Sequence, residues 1–178
     1  MFYIYNVVII KMSSSVHNSR GQLQRIVDIS TEIGEHRERL FKEYMEEKKE
    51  VHLVKRSKYK HYDFHPVNDK SLKIEFKTVN ASINTYQNVF IGYDKISYYL
   101  YRKVKHPDFR FFLVYAFYDV NDATKTENIE YMYIEIDLEK SIKHYGRIIV
   151  YKKKHLKVPV KDLKPLKGLV EILKSTQQ

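Results

Sequence analysis

From Leu72 to Val79 the chain reads LKIEFKTV, alternating apolar and polar residues. Period-two geometry puts Leu72, Ile74 and Phe76 on one face of a strand and Lys73, Glu75 and Lys77 on the other. HYDFH, just upstream, alternates in the same way, with Tyr62 and Phe64 against His61, Asp63 and His65. Pro66-Val67-Asn68-Asp69-Lys70 between the two runs reads as the turn of an antiparallel hairpin. Earlier, Ile26, Ile29, Ile33, Leu40, Phe41 and Tyr44 recur near 3.6-residue spacing, which predicts a one-sided helix over residues 22–49. Asp28 or Ser30 is the expected cap of its regular part, and the charged run 46–50 its end. Strand-like segments at 51–56, 59–65 and 72–79 then form an antiparallel meander. Residues 80–88 break the pattern with Asn, Ser, Thr and Gln, and 94–105 returns to a helical or mixed reading rich in Tyr. FRFFLVYAFYDV, from Phe109, is continuously apolar, as expected of a strand buried on both faces in the centre of a mixed sheet. IEYMYIEIDL is a further strand, 147–160 one more strand or a hairpin, and 160–173 a short helix beginning near Asp162. Helix, three strands, helix and several strands in that order predict an α/β fold with helices layered around a mixed sheet.

Length and composition narrow the classes. A chain of 178 residues buries a sufficient core as one domain without disulfide staples. MFYIYNVVII at the start is too short for a membrane span and has no basic segment ahead of it, unlike a signal peptide. With the Ser13-Ser14-Ser15 stretch it is expected to form a flexible arm over residues 1–21, ahead of a single domain over 22–178. The chain has no cysteine, which excludes disulfides, zinc–thiolate centres and thiol nucleophiles, and suits a reducing compartment. The expected setting is therefore intracellular, cytoplasm or nucleus, without secretion or a membrane. The net charge of +10, from 32 basic against 22 acidic residues, favours a polyanionic partner such as nucleic acid, although a basic surface also serves solubility.

Candidate chemistry centres on the hairpin. Of four acid-x-Lys triplets, only Glu75-Phe76-Lys77 stands on a strand whose other face is apolar, and it follows Asp63 by twelve residues. In such a hairpin Asp63 and Glu75 can share one metal ion. Magnesium prefers hard oxygen ligands and is commonly held by one or two carboxylates plus substrate phosphate oxygens. The plainer alternative is a cross-strand salt-bridge face on a half-exposed sheet. His61, Asp63 and His65 at i, i+2 and i+4 could instead hold zinc, but the second carboxylate and its lysine fit magnesium chemistry better. Tyr98, Tyr99 and Tyr101 interleave with Arg102, Lys103 and Lys105, either to stack on a nucleic-acid strand or simply as half-buried tyrosines. YKKKHLK, with Lys152, Lys153 and Lys154, is a candidate for phosphate contacts or a lysine-protected edge strand. The chain carries no Gly-rich phosphate loop, Gly-x-Ser-x-Gly elbow or His-Glu-x-x-His helix.

A long helix, then Asp63, an eleven-residue gap and Glu75-x-Lys77 resembles the PD-(D/E)XK nuclease superfamily, above all its Holliday-junction-resolvase and restriction-endonuclease-like branches. Gly34-Glu35-His36-Arg37-Glu38-Arg39 is similar to the Gly-x-x-x-Glu-Arg pattern in the first helix of archaeal-type resolvases, whereas Tyr62 replaces the proline usual before the aspartate. The resemblance covers roughly residues 31–120. It implies a restriction-endonuclease-like mixed sheet flanked by helices, with Asp63, Glu75 and the Phe76 carbonyl on Mg²⁺ (Mn²⁺ as substitute) and Lys77 activating water. Glu38 would be a fourth, helical carboxylate, unless it is an ordinary solvated glutamate, and Gln87 would touch the phosphate or the water. The implied activity is hydrolysis of DNA phosphodiester bonds, on double-stranded or branched DNA, by a homodimer if two symmetric cuts are made. An inactive nuclease-fold binding protein and an RNA endonuclease are the alternatives.

Overall fold

RFFLVYAFY, residues Arg110–Tyr118, offers apolar side chains to both sides, and such a strand is stable only where both faces are covered. In the computed structural model, which describes residues 20–57, 61–118, 129–137, 147–150 and 153–176, it lies inside a six-stranded mixed sheet. The elements in chain order are α1 (Arg20–Lys49), β1 (Leu53–Lys55), β2 (Phe64–Pro66), β3 (Leu72–Val79), β4 (Asn88–Gly92), α2 (Tyr93–Lys105), β5 (Arg110–Tyr118), β6 (Ile129–Glu135), β7 (Arg147–Val150), β8 (Lys153–Pro159), β9 (Lys164–Pro165) and α3 (Leu166–Ser175). The larger sheet has the order β1-β2-β3-β5-β6-β9, and β4-β8-β7 form a second, three-stranded sheet. β3 and β5 are parallel in register from Leu72↔Arg110 to Val79↔Phe117, and the other pairings are antiparallel. The fold is therefore mixed α/β, as the hydrophobic pattern predicts. The chain divides into two compact units, Met1–Phe41 and Lys42–Gln178, and both sheets belong to the second. Among the described residues no helix is long and apolar enough to cross a membrane.

Four details depart from the sequence reading. α1 begins at Arg20 and runs through Asp28 and Ser30, so neither caps it; Leu23 and Ile26 already carry the apolar spacing upstream. The last helix begins at Leu166, not near Asp162. Pro165 biases Lys164 towards extended backbone, so Val160–Asp162 forms only a 3₁₀ turn and Lys164–Pro165 pairs with Met132 and Tyr133 of β6. β4 was not anticipated, although Val89 and Ile91 bury alternately along it. The plainer alternative for the Lys73–Glu75–Lys77 face is a half-exposed sheet, yet Lys73 and Glu75 are buried.

Register explains that burial. Lys73, Glu75 and Lys77 pair with Phe111, Leu113 and Tyr115 of β5, so the polar face of β3 continues sideways as an apolar one. Phe111, Leu113 and Tyr115 share one core with Ile96 and Tyr99 of α2, Val89 and Ile91 of β4, and Leu156 and Val158 of β8. A carboxylate on this face is taken out of water because its neighbours require a cover.

Candidate active site

Asp63 ends the short segment before β2, and its placement is fixed by backbone bonds on both sides. Its N–H donates to the Ile74 carbonyl at 3.0 Å, its carbonyl accepts from Arg56 N–H at 2.7 Å, and its Oδ2 accepts from Phe76 N–H at 2.8 Å. The carboxylate is thus fastened to the middle of β3, one residue from Glu75. A strand residue's N–H and C=O project to the same edge, so the Phe76 carbonyl also faces the Asp63 side. Upstream of the hairpin turn's end, Asp69 Oδ1 accepts from Ser71 N–H at 2.7 Å and Ser71 Oγ at 2.5 Å, an Asx-type closure that delivers the chain into β3.

Glu75 is fully buried and lies between two lysines. Oε1 is 2.5 Å from Lys77 Nζ in an ion pair. Oε2 accepts from Lys95 Nζ at 3.0 Å. Burial pushes the carboxyl above its ordinary range, the Lys77 charge pulls it down, the nearby Asp63 charge pushes it up again, and Lys95 pulls it down. The Lys77 side chain is 40 % exposed and Lys95 19 %, so solvent reaches the pair from the Lys77 end.

Lys95 is absent from the sequence-derived set. It stands in the first turn of α2, four residues before buried Tyr99, and so shares the helix face that packs on the sheet. A lysine on the apolar stripe of a helix that follows Glu-x-Lys was the available signal.

The other candidates are dispersed. Glu38 is on α1, in the Met1–Phe41 unit, and is partly buried. Gln87 is exposed in the loop before β4, where its carbonyl accepts from Val160 N–H at 2.9 Å. Lys153 and Lys154 begin β8, and Lys152 lies outside the described residues. Lys103 donates from Nζ to the Pro107 carbonyl, and Arg102 lies over the Phe109 ring at 5.7 Å. His61 stacks on Tyr98 at 4.6 Å, while buried His65 has Nδ1 2.8 Å from the Pro66 carbonyl. No group of three or more His, Asp or Glu positioned for a metal occurs among the described residues, so His61, Asp63 and His65 do not assemble as one.

The chain matches no protein-family model. It likewise matches no curated protein. Among solved structures it is similar to D212, a nuclease from a fusselovirus, at 15 % identity and a TM-score of 0.42, over 93 % of this chain and 98 % of that one. A likeness that loose bears on neither residues nor chemistry.

The Asp63 charge raises the proton affinity of buried Glu75, and a divalent ion shared by the two carboxylates would relieve that repulsion. Hard oxygens from Asp63, Glu75 and the Phe76 carbonyl suit magnesium, which keeps its remaining positions for water and substrate. The residues fit the group.

Proposed function

We propose that the protein is a metal-dependent endonuclease of the PD-(D/E)XK type that hydrolyses DNA phosphodiester bonds at Asp63, Glu75 and Lys77. The observation carrying this reading is Glu75, fully buried against Lys77 at 2.5 Å and electrostatically coupled to Asp63. Burying a carboxylate is costly unless it is used or well compensated.

Asp63 and Glu75 would hold Mg²⁺ or Mn²⁺ together with the Phe76 carbonyl. Such an ion, when bound, supplies Lewis-acid polarisation of the scissile phosphate. The chain's own groups do the remaining work. Lys77, the more exposed lysine, orients the attacking water and places positive charge where the pentacoordinate phosphate gathers negative charge. Lys95 keeps Glu75 ionised from the buried side. Asp63, tethered by Phe76 N–H, is preorganised and does not turn away when the site is empty of substrate.

The test is cleavage of labelled four-way junction, linear duplex, single-stranded DNA and RNA in Mg²⁺ or Mn²⁺, with Glu75→Ala in parallel. Metal-dependent products that vanish in Glu75→Ala are expected, and the substrate cut best distinguishes DNA from RNA. A fully active Glu75→Ala protein overturns the reading. A second reading, a nuclease-fold protein that binds nucleic acid without cutting it, is favoured by one observation: both Glu75 oxygens already face lysines. Mn²⁺ titration separates the two. A competent site binds Mn²⁺ with an affinity that collapses in Asp63→Ala, whereas a degenerate site binds none.

A further inference from the structure

One strand step from Glu75, on the same face of β3, lies a second polar cluster of opposite character. Lys73 is buried, its Nζ donates to the Lys70 carbonyl and sits 4.8 Å from the centre of the Tyr62 ring. Tyr62 stacks near Tyr98 at 6.2 Å, and Tyr98 meets Phe109 edge-on at 6.1 Å, with Arg102 over that same Phe109 ring. Arg102 is seven residues, two helical turns, beyond Lys95. α2 therefore lays Lys95 on Glu75 and Arg102 towards Lys73 along one helix face. Arg56 enters from the segment after β1, with its N–H bound to the Asp63 carbonyl.

The cluster is short of negative charge. The Nε atoms of Arg56 and Arg102 are buried with no hydrogen-bond partner. The charges of Arg102, Arg56 and Lys70 all act on buried Lys73. Among the described residues Asp69 is the carboxylate acting on Lys73, and its Oδ1 is occupied by Ser71. Buried guanidinium Nε donors without acceptors, set beside a buried lysine, are the complement of a tetrahedral oxyanion.

We infer that Arg56, Lys73 and Arg102 form a phosphate-binding site, distinct from the Asp63–Glu75 pair and adjacent to it on β3. Lys73 and Glu75 are two residues apart, about 7 Å along the strand, so both sites lie within reach of neighbouring phosphates on one nucleic-acid strand. Exposed His61, stacked on Tyr98 beside the cluster, offers its outer ring face to the attached base. Preference for a strand phosphate over free phosphate rests on the nuclease reading; the site itself does not.

The full-length protein is tested without metal, in EDTA. One arm measures the rise in Tm on adding inorganic phosphate, against sodium chloride of equal ionic strength. The other measures anisotropy of a labelled, 5′-phosphorylated, short single-stranded DNA, alone and with phosphate as competitor. Arg56→Gln/Arg102→Gln is expected to weaken DNA binding about tenfold to a hundredfold, while Lys167→Gln, an exposed lysine on α3, leaves it unchanged. A Tm rise with phosphate and competition against DNA identifies a general phosphate site; DNA binding that needs both arginines but ignores free phosphate identifies a strand phosphate. Equal DNA binding by wild type and the folded double variant, with no response to phosphate, overturns the assignment. If the double variant does not fold, Arg102→Lys, which keeps the charge and loses the fork, takes its place under the same criteria. Cleavage is read separately in Mg²⁺: arginine-dependent binding without cleavage keeps this site and fails the nuclease reading.

Discussion

Glu75 and Lys73 sit on the same strand face and are perturbed in opposite senses by one cause, loss of water. For Glu75 burial outweighs its two lysines, so the folded-state value lies above the ordinary carboxylate value. If cleavage requires the ionised carboxylate, its acidic limb reports this group. Removing Lys95 in Lys95→Met takes away one of the charges that lower the value. The limb then moves to higher pH, which a pH–rate profile measures; an unmoved limb excludes Lys95 from a role in ionising Glu75. For Lys73 the folded value of about 8 lies below the ordinary 10.5. Between those values the unfolded chain holds a proton that the folded chain has released, so stability rises with pH through this window and the full cost is present below it. In phosphate-free buffer Lys73→Met is expected to raise the free energy of unfolding at pH 7 by about 1–2 kcal/mol, and the gain should shrink by pH 10. Urea denaturation of both proteins at the two pH values checks this.

At the scale of elements, the site depends on β3 being clamped between β2 and β5. Phe112 is fully buried on the central strand, at 6.2 Å from the Tyr133 ring of β6, and its truncation leaves a cavity under the Ile74 side of β3. Phe112→Ala should cost about 3–5 kcal/mol. By contrast, Arg110 bonds Glu135 across β5 and β6 through both Nε and a terminal nitrogen, at 2.7 and 2.8 Å, but both side chains are about a third exposed. Arg110→Met should cost less than about 1 kcal/mol, and less again at high salt. Equilibrium urea unfolding ranks the two. The elements carrying these effects were legible to different degrees. Continuous apolarity placed β5, and strict alternation gave β3 its observed bounds, Leu72–Val79. Alternation also put Glu75 and Lys77 on one side, where they form their ion pair. It could not say whether that side is wet, because the answer comes from the parallel partner β5 and the cover of α2, contacts distant in sequence. HYDFH misled for a related reason. Only Phe64 and His65 of that run are in β2, so its alternation does not describe one face, and His65 turns inward to the Pro66 carbonyl.

Taken as a whole molecule, the chain has an excess charge of +10, and its site residues show where part of that excess is useful. Lys77 and Lys95 face a carboxylate in ion pairs, whereas among the described residues Arg56, Lys73 and Arg102 form no such pair, with Asp69 the carboxylate acting on Lys73. The second group has the more charge left over for a polyanion. This difference is measurable through counterion release, because a protein that neutralises Z phosphates of a single strand binds with a log–log salt slope of about −0.7Z. Metal-free binding of single-stranded DNA should therefore weaken linearly with log salt. The slope should become shallower by about 0.7 for each of Arg56→Gln and Arg102→Gln if each removes one phosphate contact. Lys167→Gln should leave the slope as it is, since an exposed lysine outside the recess adds to the general field without releasing a bound counterion. Lower affinity in the arginine variants with an unchanged slope would mean that they act through the packing of α2 on β3 and not through phosphate. A slope that responds to every basic substitution alike would mean that the +10 acts as a diffuse field, with no phosphate held in one place.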